Sequence, residues 1–482
     1  MKNQFLVTAL LLFLFASMKA APFRYVVAQD GSGDYTSIQA AITACPDNER
    51  SIIFIKNGTY DEQVALGTKS TASKKYISLV GESYGGVVIT HNQYRASSGS
   101  PTYEDICTVK LFANDFYAEN ITIQNTATAG MAEALYTAGD RQTFKNCQGL
   151  GYQDAYRAKK GARCYFKNSL LQGAVDFIYA GGTVFFDDCT INCVKGGGYI
   201  VAPEDRVKYI PAASTASGKD LNLEFIFRNC TITANADVSD NSYTLGRPWN
   251  ANAGAYYLNC KLGSHIKAAG WTIMGGNETT ASFAEYNSMD KNGNPISTSG
   301  RISWSFQLAK ADVDNYLNPA YVYAQLSTTV YDPVALCVSP AKPTITVNAN
   351  AISWTATPDA VGYIIYKDGK YLANTIETSY TDNSGTSGVY TVKSINAMGV
   401  QSDAGGITAV SDVNSSRTKF QIKHKIIAFN EAVSFELYTL KGQSLKKTLH
   451  TSSVELSNFA SGVYLISYKG SNGKTQQATI LL

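Results

Sequence analysis

The sequence predicts an all-β protein: a right-handed parallel β-helix, or solenoid, followed by two small β-sandwich modules. Three observations carry that prediction. A tetrapeptide recurs as "YAEN", "FKNC", "FKNS", "FDDC", "FRNC" and "YLNC", starting at residues 117, 144, 166, 186, 227 and 257. Strand-forming residues follow each copy, as in "NITIQN", "CTINC" and "CTITAN". After about residue 340 the pattern changes to short alternating strands around Trp354, Tyr363 and Tyr390. Units of about 20–30 residues with one short strand pattern each stack into a solenoid, because no single coil can bury its own apolar face.

The elements follow in chain order. Met1-Lys2, an apolar run from Phe5 to Ala16 and small residues at Ala20 and Ala21 form the order of a secretory signal peptide, so residues 1–20 are expected to be removed. The run is too short for a good membrane span. In "DYTSIQAAITAC", Ile38, Ala41, Ile42 and Cys45 share a helical face, which predicts a helix capping the open end of the solenoid. The wide step from Phe186 to Phe227 leaves room for an extra coil or a long loop. The solenoid is expected to fade by about Pro333, giving a catalytic domain over 21–335.

Composition narrows the function. A chain of 482 residues, 45% hydrophobic, can bury a large core and hold several domains. A net charge of +3 gives no reason to expect a nucleic-acid partner. Nine cysteines in an exported chain first suggest disulfides, but Cys147, Cys189, Cys230 and Cys260 each close the repeated tetrapeptide and so fill one repeated position. They read as small buried hydrophobes. Cys189 and Cys193 lack a convincing partner pair for zinc, and no metal or cofactor is expected.

One carboxylate points to chemistry. Asp176 stands in "LLQGAVDFIYAGG", an apolar, glycine-rich run where burying a charge costs several kcal/mol unless it is paired. Asp154 lies 22 residues earlier, about one coil, so the two carboxylates should sit on adjacent rungs about 5 Å apart. Like charges so close raise one pKa and leave the other group ionised, which supplies a nucleophile and a proton donor. "LGRPWN" adds Arg247 to hold an ionised Asp and Trp249 to stack on a sugar face, and Gln153 can donate its amide to an oxyanion.

With those residues in place, "GTYDEQV", "NITIQNT", "GYQDAY", "GAVDFIY", "LGRPW" and "GSHIKAAGW" resemble the ordered signature set of the pectin methylesterases, covering roughly Val26 to Tyr316. The resemblance implies hydrolysis of galacturonate methyl esters of pectin, a homogalacturonan, to pectate and methanol. Asp176 would be the nucleophile, Asp154 the acid and base, Gln153 an oxyanion donor and Arg247 the residue that positions Asp176. Trp249, Tyr152 and Phe177 would contact substrate. Met131 stands where the family has a second oxyanion-donating Gln, and Glu133 where it commonly has an apolar residue. If this segment is a regular strand, both face the cleft. Lys159, Lys160 and Arg163 read either as a solvated surface or as a site for uronate carboxylates. His265 is expected to be structural. A related esterase on another ester, a non-catalytic pectin-binding β-helix and a pectate lyase are the rival readings.

Residues 341–412 resemble a fibronectin type III module. Residues 417–482, with "LYTLKGQ" and "FASGVYLISY", resemble the C-terminal sorting domains of proteins exported by the Bacteroidetes type IX machinery. The expected protein is thus a secreted or cell-surface monomer whose partners are pectin and that machinery, with no membrane span.

Overall fold

A computed structural model describes residues 22–71, 73–96, 101–348, 350–384, 388–405, 407–410, 420–423, 425–438, 444–460, 463–469 and 475–481. The signal-peptide expectation for 1–20 lies outside them. Two compact units divide at Ala409 and Val410.

The first unit is built on a right-handed parallel β-helix. Successive strands fall in turn on three parallel sheets of 11, 7 and 9 strands among the described residues. The stacking rule is visible at the repeated tetrapeptide. Phe144 pairs in register with Phe166, then Phe186, Phe227 and Tyr257. Their rings stack inside the coil at centroid spacings of 4.5, 5.2, 4.5 and 4.5 Å. The residue two places after the ring makes the corner: Asn146, Asn168, Asp188, Asn229 and Asn259 all have φ between 50° and 55°. Asn and Asp tolerate that left-handed conformation better than other side chains, which is why the corner is spelled with them. Cys147, Cys189, Cys230 and Cys260 follow as free, buried thiols, as expected of small core residues. "YAEN" belongs to the set in a shifted register: Phe144 pairs with Ala118, and Asn120 takes the corner with φ 59°.

The wide step after Phe186 is a loop. Its strand pairs directly with that of Phe227, while residues 204–224 leave the coil and carry a small antiparallel pair, Tyr209–Ile210 with Leu221–Asn222. The N-terminal helix, Ile38–Ala44, buries Ile38, Ala41 and Ile42 against the first coils, and Ser37 with the Glu62 carboxylate satisfies its free N–H groups.

The 11-stranded sheet is buried on both faces. Along its later coils, Tyr165, Phe185, Ile226 and Tyr256 lie under Leu317, Val322, Tyr323 and Tyr331 from the helices and connections that end the solenoid. Along its first coils, Phe23, Ile52, Phe54 and Val80 pack against Ile364, Tyr366 and Ile395, which come from the segment after residue 340. That segment is two sheets of four and three strands among the described residues, closing on Ile345, Ile352, Trp354, Ile365 and Val392. Polar contacts fix the packing. Gln401 donates its backbone N–H to Glu119 and its amide to the Gly81 carbonyl, each at 2.9 Å, and Tyr371 N–H donates to Glu82 at 2.8 Å. A separate body is therefore not observed here; the sandwich shares a core with the solenoid.

The second unit contains five antiparallel strands, Phe420–Lys423, Ile426–Tyr438, Ser444–Glu455, Val463–Lys469 and Thr475–Leu481, around Ile427, Phe429, Phe435, Leu437 and Ile466. Among the described residues no helix is long and apolar enough to cross a membrane.

Candidate active site

The site forms where the chain turns onto the 7-stranded sheet. One backbone ladder crosses it, with Arg95 bridged to Met131, Met131 to Gln153, Gln153 to Val175, and Val175 paired with Tyr199. The residues after Gln153 and Val175 are the two aspartates, so Asp154 and Asp176 occupy neighbouring rungs, as the 22-residue spacing predicts. Both backbones are left-handed, with φ 57° at Asp154 and 46° at Asp176. At Asp176 the ladder slips: the two residues between Val175 and Ile178 oppose the single residue between Tyr199 and Val201. Such a bulge turns a side chain away from the regular alternation, and it is a common device beside reaction centres.

Asp176 retains 3% of its surface and Asp154 8%. Their environments differ in one respect. Arg247 grips Asp176 with two donors, Nε to Oδ1 at 3.1 Å and Nη2 to Oδ2 at 2.6 Å, and its guanidinium lies 3.9 Å from the centre of the Tyr199 ring. Burial raises the Asp176 pKa, and Arg247 opposes that rise. Asp154 has no cation so placed; burial first and the Asp176 charge second push its pKa up to about 8. Arg247 therefore favours the charged form of Asp176, while burial and the Asp176 charge favour the protonated form of its neighbour Asp154.

The other expected residues are distributed unevenly. Gln153 is partly exposed beside Asp154. Trp249 is 45% exposed, held by its N–H to the Pro203 carbonyl and by the Asn277 amide on its own carbonyl. Tyr152 is partly exposed; a Cβ on Gly196, whose φ is 99°, would lie 2.2 Å from its hydroxyl. Met131 stacks directly over Gln153 with 8% of its surface left.

Three expectations need correction. Phe177 is fully buried in the coil core, because the bulge sends Asp176 out and Phe177 in. Residues 131–133 are not a regular strand, and Glu133 is fully buried instead of facing the cleft. Its carboxylate accepts from the Tyr179 hydroxyl and lies 3.0 Å from Arg157 Nε. Arg163 is buried, donating to both Asp140 oxygens and to the Tyr323 and Thr329 carbonyls, so it is neither surface nor substrate site. Lys160 is exposed but paired with Asp205 at 2.6 Å; Lys159 is exposed. His265 is buried edge-on to Tyr243, in keeping with a structural role.

Sequence reasoning missed Tyr199, Arg157 and Tyr179. The last two carried a signal, since Arg157 and Tyr179 are also 22 residues apart and follow the aspartates by three.

The comparisons with known proteins agree with this geometry. Residues 414–481 match the secretion system C-terminal sorting domain, and the protein is secreted or held at the cell surface. A pectinesterase/pectinesterase inhibitor of Brassica campestris is 30% identical over 323 residues, covering 64% of this chain and 54% of that one. Pectinesterase 31 of Arabidopsis thaliana is 31% identical, covering 61% and 91%. The chain spans about half the length of the curated relatives it matches first. Among solved structures, the pectin methylesterase from carrot superposes with a TM-score of 0.55 at 27% identity, covering 64% of this chain and 95% of that one. The Aspergillus niger enzyme gives 0.50 at 28%, covering 59% and 89%. The pectinesterase family model matches residues 24–324, well over half of the sequence and every coil that builds the site, and the chain belongs to the pectinesterase family.

Proposed function

We propose that the protein hydrolyses the methyl esters of galacturonate units in pectin, releasing methanol and leaving pectate. The observation that carries this reading is the asymmetry of the aspartates: one is bound by Arg247, and its neighbour one rung away is buried without such a cation. Asp176, kept ionised and oriented by Arg247, attacks the ester carbonyl. The carbonyl oxygen takes the negative charge, and the Gln153 amide donates to it. As the C–O bond to the methoxy group breaks, Asp154 transfers its proton to that oxygen and methanol leaves. An acyl anhydride on Asp176 remains. Asp154, now ionised, takes a proton from water; the hydroxide adds to the galacturonyl carbonyl, and the Asp176 carboxylate departs. Trp249 offers a stacking surface for the sugar, and Tyr152 lines the approach.

Residues 21–335 form the catalytic domain in this reading. Residues 341–412 are a fibronectin III-like module, supported by their four- and three-stranded sheets. Residues 417–482 engage the type IX secretion machinery, and the protein acts as a monomer on homogalacturonan.

One assay separates the alternatives. Methanol release from highly methylated pectin is the expected result. Acetate release without methanol would identify a related esterase, binding without either product a pectin-binding β-helix, and an unsaturated, ultraviolet-absorbing product a lyase.

A further inference from the structure

Beneath the two aspartates lies a second charged group that the reaction above does not use. Glu133, Arg157 and Tyr179 come from three consecutive coils, each a few residues downstream of the ladder formed by Met131, Gln153 and Val175. Arg157 pairs in register with Tyr136 on one side and Tyr179 on the other. Its guanidinium lies 3.7 Å from the centre of the Tyr136 ring, and Nε is 3.0 Å from the Glu133 carboxylate. The Tyr179 hydroxyl donates to the same carboxylate. Glu133 is fully buried, and a buried ion pair has no advantage in stability over an apolar filling of the same volume. Something other than stability is thus a reason to hold it there.

We infer that Glu133 and Arg157 are positioning residues, a buried charge pair that sets the pH at which Asp154 holds its proton. The inference rests on the esterase reading of the site. The charges acting on Asp154 are those of Asp176, one rung on, and Arg247, with Glu133 and with Arg157 three residues on from Asp154 in its own coil. Tyr103 and Tyr179 also lie within its field. Glu133 in turn is faced by Arg157, Tyr179 and Glu104, with Cys107 and Tyr136 behind them. Glu133 raises the Asp154 pKa and Arg157 lowers it. Burial holds Glu133 itself at about 7, so its charge changes in the same pH range as that of Asp154.

The signs give opposite outcomes for the two halves of the pair. Glu133→Gln removes the negative charge and leaves Arg157 uncompensated. Asp154 then loses its proton at lower pH, and the alkaline limb of kcat/KM for methanol release moves down by about one unit. Arg157→Met removes the positive charge, and the limb moves up. Exchanging both for leucine removes the dipole and brings the limb back toward the parent. A packing role alone changes the melting temperature and leaves the limb in place. The full-length protein and methylated pectin are the material. Limbs that stay put in both single variants, or that move in the same direction, would overturn the inference. Should Glu133→Gln fail to fold, the upward movement in Arg157→Met carries the test, and its absence sinks the idea. A parent that releases no methanol would instead sink the esterase reading.

Discussion

Asp154 and Asp176 are the same side chain, one rung apart, and only their partners tell them apart. Asp176→Asn keeps the shape and the Arg247 contact on one oxygen but loses the nucleophilic charge. Methanol release should vanish while pectin binding persists; measurable turnover would remove Asp176 from its role. The Asp154 environment makes a second, independent prediction about stability. Its folded pKa, about 8, stands above the unfolded value, so the folded state binds the extra proton between those limits. Its contribution to stability is present at low pH and is lost as pH rises through about 8. Asp154→Asn should therefore gain more in melting temperature over the parent at pH 9 than at pH 4, while losing activity. Met131 is the third residue at this scale. It lies on the rung beside Gln153, where the sequence resemblance puts the second oxyanion donor. If the oxyanion site is merely short of a donor, Met131→Gln should raise turnover on methylated pectin by roughly a hundredfold, the usual worth of one such hydrogen bond. A variant no faster than the parent would show that the pocket has another use for Met131.

Single coils owe their shape to a short pattern: an aromatic ring into the core, a corner residue in the left-handed region, and a thiol or hydroxyl after it. The ring of Phe186 sits between Phe166 and Phe227, at 5.2 and 4.5 Å. Phe186→Ala should cost about 3–5 kcal/mol, read as a lower denaturant midpoint, because neighbouring coils cannot close the gap without breaking their ladders. This pattern was legible because it repeats. The bulge at Asp176 was not, because nothing in "GAVDFIY" marks where the ladder slips. Phe177 was expected from the resemblance to contact substrate, and the structure puts it in the core. Glu133 failed because alternation holds only where the strand is regular.

Across the whole molecule, the sandwich after residue 340 completes the first unit. Without it, Phe54 and Val80 would be bared, and Glu119 would lose the Gln401 N–H. A chain ending at Ser339 should aggregate or melt well below the parent, although it retains every coil of the site. Loss of the tail is a different case. Deleting the residues from Phe420 onward should leave esterase activity intact and strand the protein in the periplasm, seen by fractionation; unfolding on that truncation would contradict a separable tail.

The sequence by itself determined the solenoid, the neighbouring rungs of the two aspartates and the arginine available to one of them. All of these follow from spacing, and in a stacked coil spacing in sequence is height along the axis. It did not determine which way a side chain points at an irregular rung, or that Arg163 is buried. Nor did it reveal that Glu133 faces Arg157, or that the segment after residue 340 packs against the first coils of the solenoid. Those depend on contacts between residues whose separation in sequence has no fixed relation to distance, and only the folded chain, balancing burial against hydrogen bonding at each such point, decided them.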